Sequence, residues 1–293
     1  MSEVVELHSG LTEHTFSAGA VKVNYAEGPD SGASLLLLHG LGRRWQVFLS
    51  LIPVLSLRWH IFAADLRGHG RTSHVAHGYY GSEYADDVIR LMERAVPGPA
   101  VLFGHSLGGM IAMWIAAHRP ELVRGLILGD NMIFHYEFGG TMYPALFAGL
   151  RDLARQGGSL EETAAGLAKI PLRVPGVRSP VIIGDMPGND QAYLLSWARC
   201  LLQLDSEVFE MTLDGSSIRG WEPEEILTKI KCPTLLLQAS PALGGLMSDE
   251  DVSAAHRLLP HCAHVKFETL GHALHIQQPE PVLRAVTNFL ESL

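Results

Sequence analysis

One serine stands between two glycines in Gly104-His105-Ser106-Leu107-Gly108-Gly109, directly after the apolar run Ala100-Val101-Leu102-Phe103 and before a helix-compatible run from Met110 to His118. Few six-residue segments restrict a backbone more. A serine exposed at a sharp strand-to-helix turn has main chain crowded on both sides, so Gly104 and Gly108 are read as positions where no Cβ fits. The same turn aims the Leu107 amide at the space above Ser106 Oγ, where an oxyanion would form. A bare G-x-S-x-G match arises by chance. The strand before it, the helix after it and the stop at Arg119-Pro120 give it weight and predict a nucleophile elbow.

Around the elbow the pattern alternates between short apolar runs and helical stretches. Residues 12–17 and 21–25 read as an opening hairpin, and residues 34–38, 61–64, 100–103, 126–128, 234–237 and 265–267 as strands buried on both faces. Helices are predicted at 45–55, 79–95, 107–118, 223–229, 249–258 and 279–290. The β-α-β-α order implies an α/β fold with a doubly wound, mostly parallel, eight-stranded sheet. Between 132 and 213 the rhythm breaks. Helices at 143–156, 160–168 and 190–203, with a Pro/Gly-rich connection at 172–185, predict a helical cap inserted after the sixth strand. The expected division is thus 1–131 and 214–293 as core and 132–213 as cap.

At 293 residues, 47% hydrophobic and 18% charged, the chain can bury a large core. Its formal net charge of -9 argues against a nucleic-acid partner, and no basic amphipathic stretch suggests a membrane surface. Cys200, Cys232 and Cys262 have no metal-type spacing and read as reduced thiols. With acidic residues at Glu3 and Glu6 and no long apolar stretch after them, the expectation is a cytoplasmic protein.

Four loops carry candidate chemistry. His39-Gly40-Leu41-Gly42 follows the strand at 34–38, so the Leu41 amide is the expected second oxyanion donor beside Leu107; alone, the loop would read as a glycine turn with a structural histidine. A serine hydroxyl is a poor nucleophile until an imidazole takes its proton. His272, in Gly271-His272-Ala273-Leu274-His275 after the last strand, has the right place and chain order for that base, while His275 reads as a cap or core partner. Asp65-Leu66-Arg67-Gly68-His69-Gly70 reads as a tight loop pinned by its own side chains. The acid is less direct. The loop 238–245 holds no carboxylate, Asp249 sits in a helix start with Ser248 as N-cap and Asp251 at N3, and Asp130 ends the strand beside the elbow.

Taken together, His39-Gly40, Asp65-x-Arg67-Gly68-His69-Gly70, Gly104-His105-Ser106-Leu107-Gly108-Gly109 and Gly271-His272 resemble the α/β-hydrolase superfamily over nearly the whole chain. The resemblance implies Ser106 as nucleophile, His272 as base, and the amides of Leu41 and Leu107 as oxyanion hole. Most members carry the acid after the seventh strand, where this chain has Ser240 and Ala242. A minority, including zearalenone-lactonase-like members, carry it after the sixth, which points to Asp130, with Glu137 and Asp249 as alternatives. The implied activity is serine hydrolysis of a carboxylic ester or lactone, with carbon–carbon hydrolysis of a diketone-like substrate or a non-catalytic binding role as alternatives. No cofactor and no metal are expected. Phe134, Tyr136, Phe138, Met142, Tyr143, Phe147, Met186, Tyr193, Trp197 and Met211 fall in or near the cap; an apolar pocket for a bulky or aromatic small-molecule substrate would suit them, although most are expected simply to pack it.

Overall fold

The computed structural model describes residues 5–6, 10–134, 141–173, 179–186 and 188–293. Its centre is a nine-stranded sheet in the order β1-β2-β3-β5-β4-β6-β7-β10-β11. The strands are β1 (Val5–Glu6), β2 (Thr12–Ala18), β3 (Val21–Glu27), β4 (Ser34–Leu38), β5 (His60–Ala64), β6 (Ala100–His105), β7 (Val123–Gly129), β10 (Thr234–Ala239) and β11 (Cys262–Phe267). All eight expected strands form, and the two-residue β1 adds to the antiparallel edge beside β2. From β5 to β11 every pairing is parallel.

Alternation along the central strands explains the layering. Leu36, Leu38, Leu102 and Leu128 join one buried cluster, while Leu35, Leu37, Val101, Phe103 and Ile127 point to the other face. Every one of them is fully buried, at roughly 1.5–3 kcal/mol for each such side chain. The first layer is covered by helices α2 (Gly81–Ala95), α3 (Leu107–His118), α8 (Pro223–Lys229) and α9 (Asp249–Leu258), the second by α10 (Leu274–Gln277), α11 (Pro279–Glu291) and the turn holding Trp45 and Phe48. The expected helix at 45–55 is two pieces, a 3-10 turn at Trp45–Phe48 and α1 (Ile52–Leu55), with Pro53 near its start. Proline suits the first turn of a helix and cannot continue one from before it.

Between β7 and β10 lie α4 (Tyr143–Gln156), α5 (Leu160–Ala168), α6 (Gln191–Leu201) and α7 (Glu207–Leu213), with a small antiparallel pair, β8 (Pro171–Leu172) and β9 (Val181–Ile182), where a plain connection was expected. These elements reach the loops at the carboxyl ends of the strands. Tyr143 Oη donates to the Gly244 carbonyl at 2.6 Å, the Asp205 amide to the Gly68 carbonyl at 2.8 Å, and Tyr79 Oη to Asp205 Oδ2 at 2.7 Å. Helix α7 was not expected: Glu207-Val-Phe-Glu-Met-Thr-Leu213 is short, and its β-branched and aromatic residues are indifferent helix formers. Packing decides it, with Val208 and Phe209 buried and Phe209 stacked on Phe147 at 5.8 Å. Among the described residues no helix is long and apolar enough to cross a membrane.

Candidate active site

Ser106 closes β6 and opens α3 with φ 53° and ψ -118°, a conformation that side-chain-bearing residues rarely adopt. What holds it there is the crowding the sequence implied. A Cβ on Gly104 would overlap the Gly108 carbonyl, and a Cβ on Gly108 would overlap the Leu38 carbonyl at the end of β4. Helix and strands therefore approach backbone to backbone. The Ser106 amide donates to the Gly129 carbonyl at 3.0 Å, tying the elbow to the end of β7.

The next residue on that strand end is Asp130, fully buried and also at positive φ, 47°. Its carboxylate is enclosed by donors. Oδ1 accepts from the amides of Ala239 at 3.0 Å and Met247 at 3.2 Å, and Oδ2 accepts from the Leu246 amide at 2.9 Å and from His272 Nδ1 at 2.7 Å. The loop after β10 thus offers amides where a carboxylate might have stood. A buried carboxylate is expensive unless its oxygens are so paired. Because an ionised carboxylate can only accept, His272 Nδ1 carries the proton and Nε2 is left free to accept one.

The histidine is anchored from below. His105 Nε2 donates to the His272 carbonyl at 2.8 Å, and the two rings lie 4.7 Å apart. Burial and the neighbouring His275 and His272 push His105 well below the usual histidine range. His275 is fully buried, stacked on Phe48 at 5.0 Å, and burial lowers it to about 3; it is a core residue, as expected, and no base. Ser106 and His272 line one cavity, and among the described residues no hydrogen bond joins the Ser106 hydroxyl to the His272 ring. Such contacts are commonly loose without substrate and tighten when it binds.

Above Ser106, neither the Leu41 nor the Leu107 amide has an acceptor among the described residues. Gly40 lets the first loop approach, since a Cβ there would sit 3.1 Å from Ser106 Cβ and 3.0 Å from His105 Nδ1. His39 is fully buried and accepts from the Leu66 amide at 3.0 Å; His69 accepts from the Gly42 amide at 3.1 Å. Both histidines brace the loop that carries Leu41, so the structural reading of His39 holds for the ring itself. Asp65 likewise pins its own turn, accepting from Trp45 N at 2.9 Å, Arg71 N at 3.0 Å and Asn24 Nδ2 at 2.9 Å, while burial still raises it to about 6. Arg67 is spent on buried Asp87, Nε to Oδ2 at 2.7 Å.

Of the alternative acids, Asp249 is corrected outright. It lies on the surface, accepting from Gln238 Nε2 at 2.7 Å and Lys266 Nζ at 2.9 Å, and does not touch His272. The helix start beside it is as expected: Ser248 Oγ accepts from the Asp251 amide at 3.0 Å and Asp251 Oδ2 from the Ser248 amide at 2.9 Å. Asp251 has a second task, accepting from Phe134 N at 2.9 Å. Glu137, with Tyr136 and Phe138, lies outside the described residues. Among those described, no group of three or more His, Cys, Asp or Glu residues is placed to hold a metal ion.

Ser106, Leu41 and Phe147 line two cavities at once. Their empty volumes are about 760 and 860 Å³, open mouths included, a size suited to small molecules. Met142, Tyr143, Phe147, Met186, Tyr193 and Trp197 face the second, so more of the inserted aromatics and methionines line a cavity than their packing role alone required. Arg43 also lines it, a residue the sequence reading passed over although it follows His39-Gly40-Leu41-Gly42 directly.

Sheet, elbow and the Asp130–His272 pair define a class, and a family model described as "Alpha/beta hydrolase family" matches residues 35–285: the chain belongs to the alpha/beta hydrolase family. Within it, the chain is 35% identical over 271 residues to a pimeloyl-[acyl-carrier protein] methyl ester esterase of Neisseria meningitidis, covering 90% of this chain and 96% of that one. It is 26% identical over 282 residues to a 2-(acetamidomethylene)succinate hydrolase of Mesorhizobium japonicum, covering 94% and 93%. A solved E-2-(acetamidomethylene)succinate hydrolase superposes with a TM-score of 0.74 at 25% identity, covering 96% of this chain and 99% of that one.

Proposed function

We propose that this protein is a serine hydrolase that cleaves a carboxylic ester or lactone through an acyl-enzyme. The observation that carries the reading is the 2.7 Å bond from His272 Nδ1 to a buried carboxylate, Asp130, on the strand end to which Ser106 is itself tied. In this reading Ser106 Oγ attacks the carbonyl and gives its proton to His272 Nε2, while Asp130 holds the tautomer and stabilises the imidazolium. The Leu41 and Leu107 amides receive the oxyanion. His272 then protonates the leaving alkoxide and takes a proton from water; the resulting hydroxide attacks the acyl carbon, and His272 returns the proton to the departing Ser106 Oγ as the acid is released.

The missing carboxylate at 238–245, which favoured a non-catalytic role, loses weight because Asp130 meets that loop's amides instead. Carbon–carbon hydrolysis would use the same serine and histidine; the 35% identity to a protein named as a methyl ester esterase supports the ester. The free cysteines Cys200, Cys232 and Cys262 support a reducing, cytoplasmic setting. A fluorophosphonate should add covalently to Ser106 by intact mass, and a short-chain p-nitrophenyl ester should give a burst of p-nitrophenol. An adduct that survives in Ser106→Ala would remove Ser106 as nucleophile.

A further inference from the structure

Resting on the roles proposed above for Ser106 and His272, we propose that the substrate's leaving-group arm carries an anion, a carboxylate or a phosphate, and that Arg43 binds it. The two cavities that meet at Ser106 are both largely apolar and differ in charge. Among the described residues no charged one lines the first, whose walls include Met110, Ile111, Met132, Ile218 and Trp221. His272 and Arg43 line the second and not the first. A leaving alkoxide must take its proton from His272, so the leaving arm extends into the second cavity and the acyl arm into the first.

Arg43 stands in that second cavity with no counter-ion among the described residues. Among the described residues no carboxylate lies at ion-pair distance from it, in a chain with 31 acidic and 22 basic residues. A guanidinium has five N–H donors, and among the described residues this one makes a single hydrogen bond, from Nη2 to Tyr193 Oη at 2.7 Å. Its carbon sits 3.8 Å from the centre of the Trp197 ring and 5.4 Å from that of Tyr193. Packing over the Trp197 ring holds the group in place while leaving donors unspent, and a guanidinium so placed can capture a planar carboxylate or a phosphate through two of them. A neutral arm would leave a partly desolvated cation unpaired, which is costly.

The test uses three hexanoate esters of matched phenols: 4-hydroxybenzoate, its neutral amide 4-hydroxybenzamide, and 4-hydroxyphenyl phosphate. The expected result is a kcat/KM at least about tenfold higher for an anionic ester than for the amide, carried in KM, with the better anion naming the source. In Arg43→Leu that ratio should fall to about one or below, and Arg43→Lys should lie between, because it keeps the charge and loses the planar fork. Equal turnover of all three by the wild type would overturn the assignment while leaving the hydrolase reading intact. So would a preference that survives in Arg43→Leu, or one that appears only when the carboxylate is moved to the acyl chain. Calorimetry with Ser106→Ala tests the same point without turnover: free 4-hydroxybenzoate should bind more tightly than its amide, and the difference should vanish in Ser106→Ala/Arg43→Leu. Failure of the serine itself reads out separately, as loss of fluorophosphonate labelling.

Discussion

Asp130 does two jobs that a substitution cannot separate. As the partner of His272 it selects the tautomer, and loss of that selection should lower kcat by about three to four orders of magnitude in Asp130→Asn. As the acceptor of three backbone amides it also holds the end of β7 to the loop after β10. An asparagine has one accepting oxygen, so its NH₂ must face an amide donor, and we expect a stability loss of about 1.5–3 kcal/mol as well. Denaturant unfolding beside active-site titration separates the two effects; near-normal turnover, or unchanged stability, would contradict one half each. Asp249→Asn should cost at most about 1 kcal/mol and no activity, since that carboxylate serves the start of α9 and Lys266. Ser106, His272 and Asp130 were legible because each follows an apolar run at a strand end. Arg43 was not, because a lone arginine in sequence looks like any solvated charge, and only the fold shows that among the described residues no acid pairs with it.

At the scale of elements, the junction of β4, β6 and α3 should be the least tolerant place in the molecule. Gly108→Ala sets a methyl against the Leu38 carbonyl, which neither strand nor helix can yield, and should abolish fluorophosphonate labelling and lower the melting temperature together. Ser248→Ala removes only a helix cap and should cost about 1 kcal/mol, with activity retained. Retained labelling in Gly108→Ala would mean that the elbow can relax sideways. The buried central strands were readable from runs such as Ser34-Leu-Leu-Leu-Leu38, where apolar residues fill both faces and leave no alternative. The region between β7 and β10 was readable less far. Helices α4 and α5 carry an amphipathic pattern or a capping box of their own, whereas α7 and the β8–β9 pair are too short to have a period and depend on what they pack against.

For the molecule as a whole, buried titratable groups set the response to acid. His69 and His275 are lowered by burial from 6.5 to about 4 and about 3, and His39 and His105 are pushed well below 6.5 as well. All four stay neutral in the fold and take up protons in the unfolded chain below about 6.5, so their stabilisation is complete above that pH and is lost as pH falls. Asp65, raised from 3.8 to about 6 by burial, and Asp87, raised in the same way, act in the opposite sense. Four groups outweigh two. Stability should therefore fall between about pH 6.5 and 4, at about 1.4 kcal/mol per pH unit for each net proton taken up. His275→Leu, whose ring nitrogens have no hydrogen-bond partner among the described residues, should flatten that fall by about one proton. Thermal melts across the range would show it, and an unaltered slope in that variant would count against the assignment. The residues read as reacting groups, Leu41, Ser106, Asp130 and His272, all stand on loops that leave sheet strands, and none lies between residues 132 and 213. The inserted stretch instead supplies much of the lining of the second cavity, through Met142, Tyr143, Phe147, Tyr193 and Trp197. Lineages diverging from this one could recast the inserted helices, and with them one wall of the cavity, without touching those four residues, and a laboratory could graft a foreign insert onto the same frame.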